Sequence, residues 1–172
     1  MKIELVDSSI SRKDLSVIYT INQDNVPEVG FLQKILELEL LIDLSSSTYI
    51  LRSNNSIEAF IILMRENNKY SSQNYAYFNS KYKSFLYIDR IAVKKLSRKK
   101  SLGSALYNEA IKQANEMKLP LCCEVNKIPP NIISMQFHNK FNFKKVDLNV
   151  FEEGKKEVFY LEKNFSTTTS SG

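Results

Sequence analysis

The chain predicts an α/β fold built on a mixed sheet, and three observations predict it. Short apolar runs suited to strands alternate with stretches of helical spacing. Turn-forming clusters such as Ser53-Asn54-Asn55-Ser56 separate neighbouring apolar runs. The segment from Tyr87 to Met117 reads YIDRIAVKKLSRKKSLGSALYNEAIKQANEM, an apolar strand, a basic loop containing serine and glycine, and an amphipathic helix.

Lys2 to Val6 reads as a short strand. Ser11 to Ile21 has helical spacing and opens on Ser11 and Asp14, a weaker relative of a capping box; Asn25-Val26-Pro27 ends it, because the residue before a proline avoids helical geometry. Gly30 to Leu44 carries Phe31, Ile35, Leu38 and Ile42 at helical spacing and reads as a second amphipathic helix. Thr48 to Arg52 and Ile57 to Arg65 form a hairpin. A polar, tyrosine-rich segment over 67–83 precedes the strand Phe85 to Val93 and the helix Leu102 to Met117, whose buried stripe is Leu102, Leu106, Ala110, Ala114 and Met117. After Pro120 comes the strand Leu121 to Asn126. Pro129-Pro130 then leads into a short helix from Asn131 to Asn139, and Phe143 to Phe151 and Lys155 to Glu162 close the chain as a hairpin around Glu153-Gly154. The polar tail over 166–172 has nothing apolar to bury and is expected to be disordered.

With 172 residues, 43% hydrophobic and 25% charged, the chain suits one domain over 1–165 with a substantial core. No apolar run reaches the ~18 to 20 residues that cross a bilayer, and MKIELVDSS turns polar too early for a signal peptide. A cytoplasmic protein without a membrane partner is the expectation. Cys122 and Cys123 are adjacent, so they face opposite sides of a strand and read as reduced core thiols. The net charge of +5 is spread along the chain apart from the cluster at 94–100, which argues against a nucleic acid partner.

That cluster sits where a strand runs through a tight loop into a helix. Such a junction aims free backbone N–H groups and the positive end of the helix dipole at one point, and Arg98, Lys99 and Lys100 surround it with charge. A polyanion such as a pyrophosphate fits there.

The element order and the segment from Ile91 to Leu106 resemble the GNAT superfamily of acyl-coenzyme A-dependent N-acetyltransferases. The family signature is Arg or Gln, two residues, Gly, one residue, then Gly or Ala, after a strand ending in Val. Here Arg98 takes the first place, Ser101 stands at the first glycine and Gly103 at the last, with Leu106 at the usual leucine. A second register, Lys100 to Gly103 to Ala105, also satisfies the pattern. Downstream, Asn131, Ser134, His138, Asn142 and Phe143 resemble the Asn, Ala or Ser, Tyr, Gly-Phe pattern of the family's later helix. The resemblance extends over residues 2 to 163 and implies a mostly antiparallel sheet flanked by helices.

It implies acetyl-CoA as cosubstrate and no metal. The backbone of Ile91, Ala92 and Val93 would pair with the pantetheine arm like an added strand. Arg98, Lys99, Lys100, Ser101, Leu102, Gly103, Ser104 and Ala105 would wrap the pyrophosphate, with Asn131 and Ser134 contributing from the later helix. Ser101 suits the loop if its φ is negative and costs about 1 kcal/mol or more if φ is positive. Asn131, Ser134 and His138 share one helix face, with Ile133, Phe137 and Phe141 in an adjacent apolar stripe. His138 stands where the family has a tyrosine that protonates the departing thiolate; an imidazolium can take that role, a neutral imidazole can still hydrogen-bond the sulfur, or the proton can come from water.

Amine acylation also needs a proton acceptor. Glu124 is one candidate, on the strand that splays from its neighbour in the family, and Asp89 is the other unless an ion pair with Arg90 weakens it; water is the third. The resemblance places the acceptor, a primary amine of a small molecule or peptide, near 22–31 and 70–82, which nominates Asn25, Phe31, Tyr75 and Phe78. The tyrosines there either wall a pocket or pack a helix on the sheet. The transferase reading competes with a non-catalytic acyl-CoA-binding module on the same fold, and a homodimer is left open.

Overall fold

The strands Lys2–Val6 (β1), Ser47–Ser53 (β2), Ser56–Arg65 (β3), Leu86–Val93 (β4), Leu121–Ile128 (β5), Lys144–Phe151 (β6) and Lys156–Lys163 (β7) join in one sheet, ordered β1-β2-β3-β4-β5-β7-β6. Among the described residues five α-helices flank it: Arg12–Asp24 (α1), Ile35–Leu44 (α2), Gln73–Lys81 (α3), Leu102–Met117 (α4) and Ile132–Lys140 (α5). This is the computed structural model of the chain, and it describes residues 1–165; the tail expected over 166–172 lies outside the described residues. The mixed, mostly antiparallel sheet agrees with the sequence.

Local chemistry sets the helix ends. Ser11 has extended backbone and its hydroxyl accepts the Asp14 N–H at 3.1 Å, which closes the start of α1. α2 begins at Ile35, five residues later than the apolar spacing places it. The intervening backbone is bonded to side chains instead of to its own helix: Gln23 both donates to the Leu32 carbonyl at 3.0 Å and accepts its N–H at 3.1 Å, and Asn22 donates to the Gly30 carbonyl at 3.1 Å. Phe31 therefore points into solvent, 63% exposed.

Two apolar clusters cover the two sheet faces, one gathering α1, α2 and α3 and the other α4. Cys122 belongs to the first and Cys123 to the second, as strand alternation requires, and burial pushes both thiols up. Met117 departs from the expected stripe of α4 and is 41% exposed, whereas Tyr107, one position beyond Leu106, is buried.

The sheet opens between β4 and β5. These parallel strands pair only at Leu86 with Leu121 and Tyr87 with Cys122. Past that point the β3–β4 register slips between Ile62 and Leu63, so that Asp89 is an extra residue in β4, a bulge that bends the strand. The Lys94 N–H donates to the Glu58 carbonyl at 2.8 Å, so alternation directs the backbone groups of Ala92 to β3 as well. Those of Ile91 and Val93 face the opening. Of the three residues expected to offer backbone to a ligand, Ala92 is thus spent within the sheet.

Removing the α1 cap with Ser11→Ala is expected to cost about 1 kcal/mol. In a chain of this size that lowers the melting temperature by roughly 3 °C, measurable by circular dichroism; an unchanged melt would contradict the capping role.

Candidate active site

The opening between β4 and β5 holds a polar cavity of about 310 Å³. Ile88 to Ile91 form one wall and Cys123 to Asn126 the other, with Tyr107, Asn131, Ser134 and His138 on one side of the sheet and Tyr70, Ser72, Asn74 and the segment 27–30 on the other. A substrate entering here meets unpaired strand edge and ionisable groups together.

Glu124 projects into this cavity. Its carboxylate accepts the Tyr87 hydroxyl at 2.7 Å and the Asn74 amide at 3.3 Å, and the Asn74 oxygen in turn accepts the Tyr160 hydroxyl at 2.9 Å. Enclosure pushes its pKa up to about 7, the Tyr87 bond pulls the other way, and the charge of Asp89 adds to the rise. A carboxylate tuned to neutral pH can take a proton and give it back.

Asp89 is occupied. One oxygen accepts the Tyr70 hydroxyl at 2.5 Å and the other the Arg90 guanidinium at 2.7 Å. Arg90 continues to the Asn22 side chain at 2.9 Å and the Gly30 carbonyl at 3.2 Å. The ion pair anticipated from the sequence is present, and through Arg90 it anchors the segment around Gly30 to β4.

His138 is buried, and its bonds assign its proton. Nδ1 lies 2.7 Å from the Ser134 carbonyl, which can only accept, so Nδ1 carries the hydrogen. Nε2 then accepts the Tyr107 hydroxyl at 2.5 Å. Burial lowers the imidazole pKa, which favours the neutral ring among the alternatives read from the sequence, and both of its nitrogens are engaged within the protein. One member of the apolar stripe departs from expectation, while Phe137 and Phe141 pack against the core. Ile133 is 82% exposed, while the His138 ring turns inward among Tyr107, Phe137 and Phe143.

Asn131 caps α5 by accepting the Ser134 N–H at 3.2 Å. Asn142 ends it in left-handed geometry, φ 60°, a conformation asparagine tolerates better than most residues.

The basic loop is built from strained turns. Lys99 and Ser101 have φ of 65° and 60°, so the serine does occupy a left-handed position where glycine is easier. Its side chain caps nothing, and the first helical bond runs from the Ala105 N–H to the Ser101 carbonyl at 3.1 Å. The N–H groups of Leu102, Gly103 and Ser104 are left for a ligand, as at any uncapped helix start. A Cβ built on Gly103 would lie 3.8 Å from Val93, so this glycine keeps the approach over the loop open without being forced by a clash. Leu102 is buried beneath.

Asn25 borders the cavity, and its side chain is bonded on the side of the basic loop. Its amide donates to the Ile21 carbonyl at 2.7 Å and the Val93 carbonyl at 3.1 Å, and its oxygen accepts Arg98 at 2.7 Å. It ties the end of α1 to the basic loop and takes up one of the free carbonyls of β4. Tyr75 and Phe78 are core residues, 1% and 0% exposed, with the Tyr75 hydroxyl donating to the Arg65 carbonyl at 2.7 Å. They and the exposed Phe31 lie outside the cavity lining. Within the tyrosine-rich segment, Tyr70 lines the cavity and Tyr77 stacks on Tyr160 at 4.1 Å. Tyr70 belongs to the tyrosines read from the sequence as a candidate pocket wall, whereas Asn74, Tyr87, Tyr107 and Lys156 line or support the site without having been singled out. Tyr87 and Tyr107 stand inside recognisable core patterns as residues with a polar tip, a signal that was there to use; Asn74 carries none.

The chain matches the family model described as acetyltransferase (GNAT) family over residues 15–143. Solved structures share the fold. The ribosomal-protein-S18-alanine N-acetyltransferase from Escherichia coli superposes with a TM-score of 0.68 at 15% identity, covering 99% of this chain and 98% of that one. Ard1 from Thermoplasma volcanium gives 0.66 at 18% identity, with 97% and 100% covered. The NatC complex bound to Gag peptide and CoA gives 0.70 at 15% identity, with 96% and 100% covered. No curated protein sequence matches the chain. The chain belongs to the GNAT acetyltransferase family and is by that membership an acyltransferase.

Ser101→Gly is expected to relieve about 1 kcal/mol of left-handed strain and raise the melting temperature by roughly 2 to 4 °C; a lower melting temperature would mean that the serine is preferred there. Asn25→Ala, which releases Arg98 from its orienting bond, is expected to weaken coenzyme A binding about fivefold to tenfold in calorimetry. Unchanged affinity would separate Asn25 from any part in holding coenzyme A.

Proposed function

We propose that the protein transfers the acetyl group of acetyl-CoA to a primary amine by direct attack in a ternary complex, with Glu124 as the base. The observation that carries this reading is a carboxylate with a pKa of about 7 set in the gap between β4 and β5, beside the free strand edge of Ile91 and Val93. The pyrophosphate would lie on the N–H groups of Leu102, Gly103 and Ser104, among Arg98, Lys99 and Lys100. Asn131 and Ser134 would flank the pantetheine from the opposite wall. That the NatC structure holds CoA on the same fold supports the cosubstrate.

Glu124 takes a proton from the acceptor ammonium, which otherwise has no lone pair to attack with. The amine nitrogen then bonds to the thioester carbonyl, and the Ile91 N–H is the donor placed to steady the oxyanion. Collapse breaks the C–S bond and sends its electron pair to sulfur. The second proton lost from nitrogen balances the thiolate through water, so the step needs no acid from His138. Asp89, held by Tyr70 and Arg90, positions the acceptor-side segment.

The non-catalytic alternative draws on one observation, that His138 offers no proton to the cavity. Thermal melts and a thiol-release assay on the purified protein with acetyl-CoA and a panel of amines separate the two. Stabilisation by coenzyme A with no amine releasing thiol would favour a binding module, and no stabilisation would refute both.

Turnover is expected to climb with pH as Glu124 deprotonates and to level off above about pH 7. Glu124→Gln is expected to lower kcat about 100-fold and erase this limb, while His138→Gln retains it. Tyr87→Phe removes a bond that favours the charged form and is expected to move the midpoint upward by roughly one unit. Stability follows the same proton. Because the folded pKa lies above that of a free carboxyl, the native state holds the proton more tightly, and stability falls as pH rises toward 7. Glu124→Gln is therefore expected to raise the melting temperature at pH 8 more than at pH 4; equal shifts would place the titration elsewhere.

A further inference from the structure

Taking the acetyl transfer proposed above as the chemistry of the site, we propose that Lys156 is an anion subsite for the acceptor, which is a peptide α-amine followed by an acidic residue. Lys156 lines the cavity together with Glu124, although it lies outside the segments where an acceptor was expected. The β5–β7 ladder fixes their relation. Glu124 stands opposite Tyr160 and Asn126 opposite Val158, so Lys156, Val158, Tyr160 and Glu124 share one sheet face. From Tyr160 back to Lys156 the strand covers about 13 Å, and a lysine stem reaches roughly 6 Å from its backbone. The ammonium and the carboxylate are held apart, facing the same space.

Their charges are disposed differently from those around them. Among the described residues Arg90 is paired with Asp89 at 2.7 Å and Lys127 with Glu157 at 2.8 Å, whereas Lys156 has no carboxylate within 4.0 Å. Its ammonium stands 5.8 Å from the centre of the Phe151 ring. Lys156 and Asn74 also border an outer recess with Gln73, Phe151 and Glu152, so the cavity continues toward the surface along this line, with the exposed Glu152 at its lip. Glu28 borders the cavity from the segment between α1 and α2.

A ligand that satisfies both ends is an amine at Glu124 joined to an anion at Lys156. In an amino acid the carboxylate lies only about 3 Å from the amine, too near to span the gap. In a peptide the carboxylate of an acidic second residue lies roughly 7 to 9 Å from the terminal amine, which suits it. Lys156 would then act on acceptor affinity and leave the cosubstrate untouched.

The test uses the tripeptides Ala-Glu-Gly, Ala-Gln-Gly and Ala-Lys-Gly with the full chain. Binding is measured by calorimetry on the coenzyme A-loaded protein, and transfer is measured by thiol release with acetyl-CoA. Ala-Glu-Gly is expected to bind about tenfold tighter than Ala-Gln-Gly. Lys156→Glu is expected to abolish this preference and favour Ala-Lys-Gly, and Lys156→Arg to restore it, with the KM for acetyl-CoA unchanged in each. Equal preference in the wild type and in Lys156→Glu, with the variant melting like the parent, would overturn the subsite. Binding discrimination without thiol release would support the subsite and refute the acetyl transfer.

Discussion

The gap between β4 and β5 is the constraint on which the rest of the site depends. Two residue pairs hold the strands together at one end, and the extra residue Asp89 then turns β4 away. A sheet interior opened in this way exposes backbone N–H and C=O groups that water or a ligand must satisfy. Closing the gap would extend the ladder and remove the cavity, so the unpaired strand edge and the space beside Glu124 have a common origin, while its raised pKa comes from enclosure.

The groups around the gap divide the work by how their hydrogen bonds are spent. Asp89 and Arg90 satisfy one another and reach Asn22 and Gly30, which stiffens the segment between α1 and α2. His138 and Tyr107 satisfy one another and lock α5 to α4. Glu124 is held by two neutral donors, Tyr87 and Asn74, and no cation lies among the causes of its shift. It remains the carboxylate free to change its charge. Buried polar clusters that are fully paired serve as struts, and the incompletely compensated member is where chemistry becomes available.

The fold was largely legible in the chain because its signals are short-range. The serine cap of α1, the asparagine turn between β2 and β3 and the prolines before α5 act within a few residues. The start of α2 was misplaced for the opposite reason: Phe31 keeps helical spacing, but side chains from α1 take the backbone bonds that a helix would need. Helical periodicity also placed Ile133 in the apolar stripe, and it stands in solvent, since a nine-residue helix touching the protein through an aromatic pocket is set by that pocket. Of the two readings open for the tyrosine-rich segment, a pocket wall or a helix packed on the sheet, Tyr75 and Phe78 take the second, as the packing of α3 on the sheet.

By itself, the sequence determined the basic loop and its helix, because a junction of strand, loop and helix presents consecutive backbone N–H groups whose placement is a local matter of turn and cap. It also determined the family, through that loop and the later Asn131 to Phe143 segment. Only the tertiary structure decided which acid titrates near neutral pH. The partners of Glu124 come from 37 and 50 residues away, and a pKa is set by enclosure and neighbours in space, neither of which is written beside the residue in the chain.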